Sequence, residues 1–225
     1  MIQVQNVCFT YGKRKILDTL SFEALPGECV VFAGSNGAGK STALSLIAQV
    51  LRPNSGTVTI NGRVGLVPQG TALFEDMTVQ DNLRFFARLA GVEMPESLPF
   101  GVERYGKTKV SKLSGGMKKQ VDIACALLGR PEIVLLDEPC AGLDVVYREE
   151  LLDLIRALKN DGRTVIYVSH DPVEFASVYD KLIFFGKEPV CYTREQLSGD
   201  AAGDVCLYQN FAKLFQAHDF SGGLR

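Results

Sequence analysis

Gly34-Ser35-Asn36-Gly37-Ala38-Gly39-Lys40-Ser41 has the form G-x-x-x-x-G-K-[ST], a loop suited to cradling phosphate groups. The apolar run 29–33 before it reads as a buried strand. Residues 40–50 after it read as a helix, with Leu44, Ile47 and Ala48 at helical spacing. Strand, loop and helix in that order are the context the pattern needs. The glycines let the backbone turn sharply and approach a ligand closely. The loop N–H groups and the helix N-terminus then make an anion site. Lys40 adds a positive charge toward the outer phosphates, and the Ser41 hydroxyl can ligate a magnesium ion.

N-terminal to the loop, apolar and polar residues alternate over 2–24 (Ile2, Val4, Val7 and Phe9, then Ile16, Leu20 and Phe22). This predicts an antiparallel sheet, closed by a turn at Pro26-Gly27. C-terminal to it, Pro53-Asn54-Ser55-Gly56 is another turn. Asn61-Gly62 between the strand-like runs 57–60 and 63–67 predicts a hairpin. From about 76 to 115 the character changes. Thr78 caps a helix through Ala90 and Gly91 stops it. Pro95, Pro99, Gly101 and Gly106 then break the helical pattern. A small, partly helical insertion is expected there. The second half returns to alternating helices and strands. Helices are expected over 116–128 and 144–159, the latter with Leu151, Leu152, Ile155 and Leu158 inward, and strands over 133–136, 164–168, 182–185 and 189–192. A helix start is expected at Asp171-Pro172. A final amphipathic helix is expected over 204–217.

The 225 residues suffice for a single α/β domain spanning 1–225 with its insertion. A net charge of −2 argues against a broad nucleic-acid surface, so no nucleic-acid partner is expected. No apolar run approaches the ~18 residues that cross a bilayer. Met1-Ile2-Gln3-Val4 enters a strand pattern directly, without a signal-peptide pattern. Any link to a membrane must then come through a partner. Cysteines stand at 8, 29, 125, 140, 191 and 206, none in a C-x-x-C pair, so neither zinc nor a redox motif is expected. Cys29, Cys125 and Cys191 lie in apolar segments and read as small core residues. Reduced thiols in a cytosolic protein are the default.

Ile133-Val134-Leu135-Leu136-Asp137-Glu138 is an apolar run ending in two acids. A buried parallel strand delivers such carboxylates to the phosphate site, because ligands lie beyond the carboxyl ends of these strands. Asp137 would hold magnesium, and Glu138 is placed to polarise an attacking water. Leu113-Ser114-Gly115-Gly116-Met117 follows the insertion and precedes this strand. In that position it resembles the signature motif of the ATP-binding cassette (ABC) ATPases, L-S-G-G-Q in its commonest form. Other parts of that family's pattern are present in order. Tyr11 resembles the aromatic residue that stacks on adenine, and Gln69 the Q-loop glutamine. Ala141-Gly142-Leu143-Asp144 resembles the D-loop, and His170 the switch histidine. The resemblance covers roughly residues 2–192. Met117 departs from the usual glutamine and Cys140 from a hydroxyl residue, and the connection before Gln69 is short. The segment 73–83 most resembles compact ATPase subunits of bacterial export-type systems.

The resemblance implies a P-loop NTPase core with an N-terminal antiparallel β subdomain and a small helical insertion. It implies an ATPase with two sites at a head-to-tail dimer interface, homodimeric or heterodimeric. ATP would be bound by Tyr11 and by Gly34, Ser35, Asn36, Gly37, Ala38, Gly39, Lys40, Ser41 and Thr42, and Mg2+ held by Ser41, Gln69 and Asp137. Glu138 would be the base, with His170, Gln69 and Lys40 completing the catalytic set. Ser114, Gly115 and Gly116 of the opposite subunit would close the site, with Asp144 in the D-loop. The implied partner is a separate integral membrane permease, placing the chain on the cytoplasmic face of the membrane. The alternative is a soluble cassette ATPase acting on a protein assembly, as in iron–sulfur cluster biogenesis.

Overall fold

The computed structural model describes residues 1–141, 145–186, 188–198 and 209–214. The alternation near the N-terminus becomes two antiparallel strands, β1 (Ile2–Tyr11) and β2 (Arg14–Ala24), with Ile2 opposite Ala24. The phosphate loop joins β3 (Cys29–Gly34) to α1 (Lys40–Ile47). Then come β4 (Ser55–Ile60), β5 (Val64–Val67), α2 (Val79–Ala90) and α3 (Gly115–Leu127). The second half supplies β6 (Ile133–Asp137), α4 (Val145–Asn160), β7 (Thr164–Val168) and α5 (Pro172–Phe175). It closes with β8 (Lys181–Phe185), β9 (Pro189–Thr193) and α6 (Arg194–Ser198).

Two sheets result. One has the order β2-β1-β4 and the other β5-β6-β7-β3-β8-β9. The second is parallel from β5 to β8, and β9 returns antiparallel along β8. Every residue of β3, β6 and β7 is buried, which is why these strands read as unbroken apolar runs rather than alternations. Successive side chains still point to opposite faces. Cys29, Val31 and Ala33 join Val134, Leu136 and Tyr167 under α4. Val30 and Phe32 join Leu135 and Ile166 beneath α1 and the antiparallel sheet. A third apolar cluster gathers α2, Leu98, Val102 and Val110 against α3.

Capping residues set the helix ends. The Thr78 hydroxyl accepts the Asp81 N–H, and Gly91 ends α2 in the left-handed region at φ 68°. Asp171 accepts the Val173 N–H ahead of Pro172. The expected hairpin at Asn61-Gly62 does not form. β4 pairs with β1, Ile60 opposite Ile2, while β5 pairs with β6 in the other sheet. Asn61 instead exchanges hydrogen bonds with Met1, at 3.0 and 3.2 Å. Gly62, at φ 123°, turns the chain where a Cβ would lie 2.8 Å from that of Glu132. Pairing of the two strands in separate sheets overrides the local turn preference. α1 ends at Ile47 rather than near 50, because Gln49 takes a left-handed φ of 59°. Cys191 is exposed on the edge strand β9 and is not a core residue; Cys29 and Cys125 are buried. Residues 209–214 are helical, and the remainder of the expected 204–217 helix lies outside the described residues.

Candidate nucleotide site

Three glycines of the loop take a positive φ, and at two of them a Cβ would also clash. Gly34 ends β3 at φ 136°, where a Cβ would stand 2.4 Å from the Phe185 carbonyl oxygen. Gly39, at φ 102°, would drive a Cβ to 2.7 Å from Leu17. Gly39 starts α1 without a side-chain cap, so the first helical N–H groups stay free for an anion. The Lys40 ammonium crosses the loop and donates to the carbonyls of Gly34 at 2.7 Å and Ser35 at 2.9 Å. Burial pushes its amine below the ordinary lysine range, while Glu138 and Asp137 oppose that shift. The loop opens onto a cleft of about 370 Å³ lined by Tyr11, Asn36, Gly37, Gly39, Lys40, Ser41, Thr42, Gln69 and Glu138. Arg14 and Ile16, not expected in the site from the sequence, line it too. Ser35 and Ala38 face an adjoining hollow with Arg14 and Lys15. Tyr11 is half exposed and braced edge-on by Phe9, 4.9 Å away.

The acidic residues arrive from β6. Asp137 is buried, and its Oδ1 has no hydrogen-bond partner. Burial pushes its carboxyl up; the Ser41 hydroxyl beside it and the Lys40 and Lys119 charges act the other way. Glu138 leaves the strand at φ 46°, a backbone region seldom occupied by residues other than glycine. Its N–H holds to the Val168 carbonyl at 3.2 Å. That turn brings the carboxylate to Gln69, whose Nε2 donates to Oε2 at 2.9 Å. His170 Nδ1 stands 4.0 Å from Oε1. Segments following β5, β6 and β7 thus converge at the cleft mouth. A buried network holds the histidine segment: the Ser169 and Tyr167 hydroxyls donate to Glu174 at 2.5 and 3.2 Å, and Ser169 accepts the Asp171 N–H.

Ser114, Gly115 and Gly116 start α3, with Ser114 accepting the Met117 N–H at 3.3 Å. They do not line the cleft of their own chain. Asp144 lies outside the described residues. Sequence reasoning missed Lys119 and Asp122. Lys119 donates to the carbonyls of Pro68, Gln69 and Gly70 at 2.7, 3.1 and 2.8 Å. Asp122 accepts the Ala72 N–H at 3.0 Å. Their signal was available: α3 is buried over 119–125, and charges in such a helix need partners.

A profile of the ABC transporter family matches residues 17–141. The chain is 32% identical to the linearmycin resistance ATP-binding protein LnrL of Bacillus subtilis, over 96% of this chain and 77% of that protein. It is 34% identical to the Nod factor export ATP-binding protein I of Sinorhizobium fredii, over 80% of this chain and 59% of that longer protein. Among solved structures, the ATP binding subunit of an ABC transporter superposes with a TM-score of 0.85 at 25% identity, covering 95% of this chain and 99% of that one. The dimeric post-hydrolysis state of the cassette MJ0796, bound to ADP and Pi, superposes with a TM-score of 0.71 at 26% identity, covering 86% and 98%.

Proposed function

Because the chain belongs to the ABC transporter family, we propose that it is the ATP-hydrolysing subunit of a membrane transporter, acting as a dimer that closes on two ATP molecules. The observation that carries this reading is the meeting of Gln69, Glu138 and His170 at the mouth of the Lys40 cleft. Lys40 and the loop N–H groups hold the phosphates, and Tyr11 offers a ring to the adenine. Glu138 accepts a proton from the attacking water, Gln69 fixes the carboxylate, and His170 reaches the γ-phosphate. Phosphoryl transfer needs little else, since its catalysis is mostly positioning and charge stabilisation.

The donor set suits magnesium. Asp137 keeps a buried oxygen without a partner beside the Ser41 hydroxyl, and this hard cation takes oxygen ligands from few side chains plus substrate phosphates. Ser41, Asp137 and Gln69 would hold the ion, which neutralises charge on the phosphates. Ser114, Gly115 and Gly116 of the second subunit, and Asp144, complete the interface.

The permease reading draws on an exposed apolar surface of α2 and the segment before it. Phe74, Phe85 and Leu89 are exposed by 46, 43 and 73%, and the Phe74 and Phe85 rings meet edge-on at 5.0 Å. Apolar exposure of this kind marks an interaction site. Among the described residues no helix is long and apolar enough to cross a membrane. A separate integral partner would hold the chain at the cytoplasmic face, and the names of the relatives favour transport, in the export direction, over work on a soluble assembly. Glu138→Gln tests the core of the reading. It should keep ATP binding, slow hydrolysis roughly 10²–10⁴-fold, and accumulate an ATP-dependent dimer on size exclusion. Wild-type turnover, or a dimer equally abundant without ATP, would overturn it.

A further inference from the structure

Lys119 is a buried cation whose partners are all backbone. A lysine ammonium has three donors, and here the carbonyls of Pro68, Gln69 and Gly70 take one each. Three successive carbonyls can reach one point only if the chain curls around it. One helical turn further on, Asp122 accepts the Ala72 N–H at 3.0 Å. On the outer face, Lys118 pairs with Glu75 at 2.6 Å. Residues 68–75 are therefore gripped by one turn of α3. Near the start of the gripped stretch lies Gln69, with its amide on Glu138. Ser114, at the other end of the same turn and a half, caps α3 and is exposed.

We propose that Lys119 is the positioning residue that sets Gln69 against Glu138, and that through it α3 links the signature end of the chain to the catalytic carboxylate of the same chain. The inference rests on the two-subunit reading of Ser114 above. From Ser114 to Lys119 the helix rises only about 7.5 Å, too short to flex. When Ser114 engages the nucleotide held by the partner, the displacement of α3 reaches the carbonyls on Lys119 and hence Gln69. Occupancy of one site is then felt by the base of the other. A lysine serving stability alone is a poor choice here. Desolvation pushes its amine down, with Asp122 and Asp137 acting against the shift, and well-packed apolar residues often replace buried charges without loss.

The test compares Lys119→Met, Gln69→Ala and the double variant by steady-state hydrolysis, by titration with a fluorescent ATP analogue, and by circular dichroism. Lys119→Met should lower kcat roughly 10- to 100-fold, the scale of a small misplacement at a reacting centre. Affinity for the analogue should stay within about threefold, because the phosphate loop is untouched. The double variant should be no slower than Gln69→Ala, and the dependence of rate on ATP should pass from cooperative to a Hill coefficient of about 1. Additive losses, wild-type kcat in Lys119→Met, or cooperativity that is absent from wild type or survives the substitution would overturn the proposal. Should Lys119→Met not fold, Lys119→Gln keeps two of the three donors on a side chain one atom shorter; it should give an intermediate kcat with the same non-additivity, and additivity would again be fatal. Glu138→Gln separates the two readings. If it forms the ATP-dependent dimer while the cycle is additive, the clamp alone fails; if it forms none, the two-subunit reading fails, and the clamp with it.

Discussion

Lys40 and Asp137 hold opposite charges in a place that resists both. Burial lowers the amine and raises the carboxyl, so each is kept for binding rather than for stability. Lys40→Ala should remove tight ATP binding, since each charge-assisted bond contributes ~1.5–3 kcal/mol. Calorimetric titration checks this, and near-normal affinity in a folded variant would remove Lys40 from the role. Asp137→Asn should behave differently. A carboxyl raised on folding binds its proton more tightly in the folded state, so stability falls as pH rises from the ordinary carboxylate value to the folded one. Without nucleotide or magnesium the asparagine variant should therefore melt higher than wild type at neutral pH. The gap should close below about pH 4, where both chains are neutral at this position. A melting scan across that range decides it; a wild type that is more stable at neutral pH rejects the argument. Lys40, Ser41 and their loop were legible in the sequence because the chemistry is contiguous. Gln69, Glu138 and His170 were legible through their order along the chain. Lys119 was not, because its meaning is a contact with backbone carbonyls fifty positions away, which no side-chain pattern announces.

At the scale of elements, local rules served where the interaction is local. Thr78, Gly91 and Asp171 occupy the cap positions their chemistry predicts. Asn61-Gly62 failed because strand pairing is decided by which sheet each strand completes, and β4 pairs with β1 while β5 pairs with β6. Asn82 shows how far one buried side chain can organise a connection. Fully buried on α2, it accepts the Phe74 N–H at 2.8 Å and donates to the carbonyls of Phe74 and Thr78 at 3.1 and 3.0 Å. Asn82→Ala leaves those backbone groups without a partner and should cost about 1–3 kcal/mol. Urea unfolding should show a lower midpoint with an unchanged slope. An unaltered midpoint would mean that water replaces the amide.

For the whole molecule, the decisive question is whether one site draws on two chains. Lys40→Ala and Ser114→Arg should each disable both sites of a homodimer. In a mixed dimer the two lesions face each other in one site, and the other keeps an intact Lys40 and an intact Ser114. Mixing should thus restore ATP-dependent dimerisation above the sum of the separate variants. No recovery, with mixed dimers shown to form, would sink the composite site. The sheet order carries one more consequence, for the chain as it is made. β3 holds the phosphate loop, yet its neighbours are β7 and β8, with Cys29 opposite Val165 and Gly34 opposite Phe185. β1, β2 and β4 find one another early. At ~5–20 residues per second of synthesis, β3 waits on the order of ten to thirty seconds for its flanking strands. During that interval an apolar run meant for a buried sheet stands uncovered, a target for chaperones and a seed for aggregation. The phosphate-binding segment, translated early, is therefore among the last to be completed.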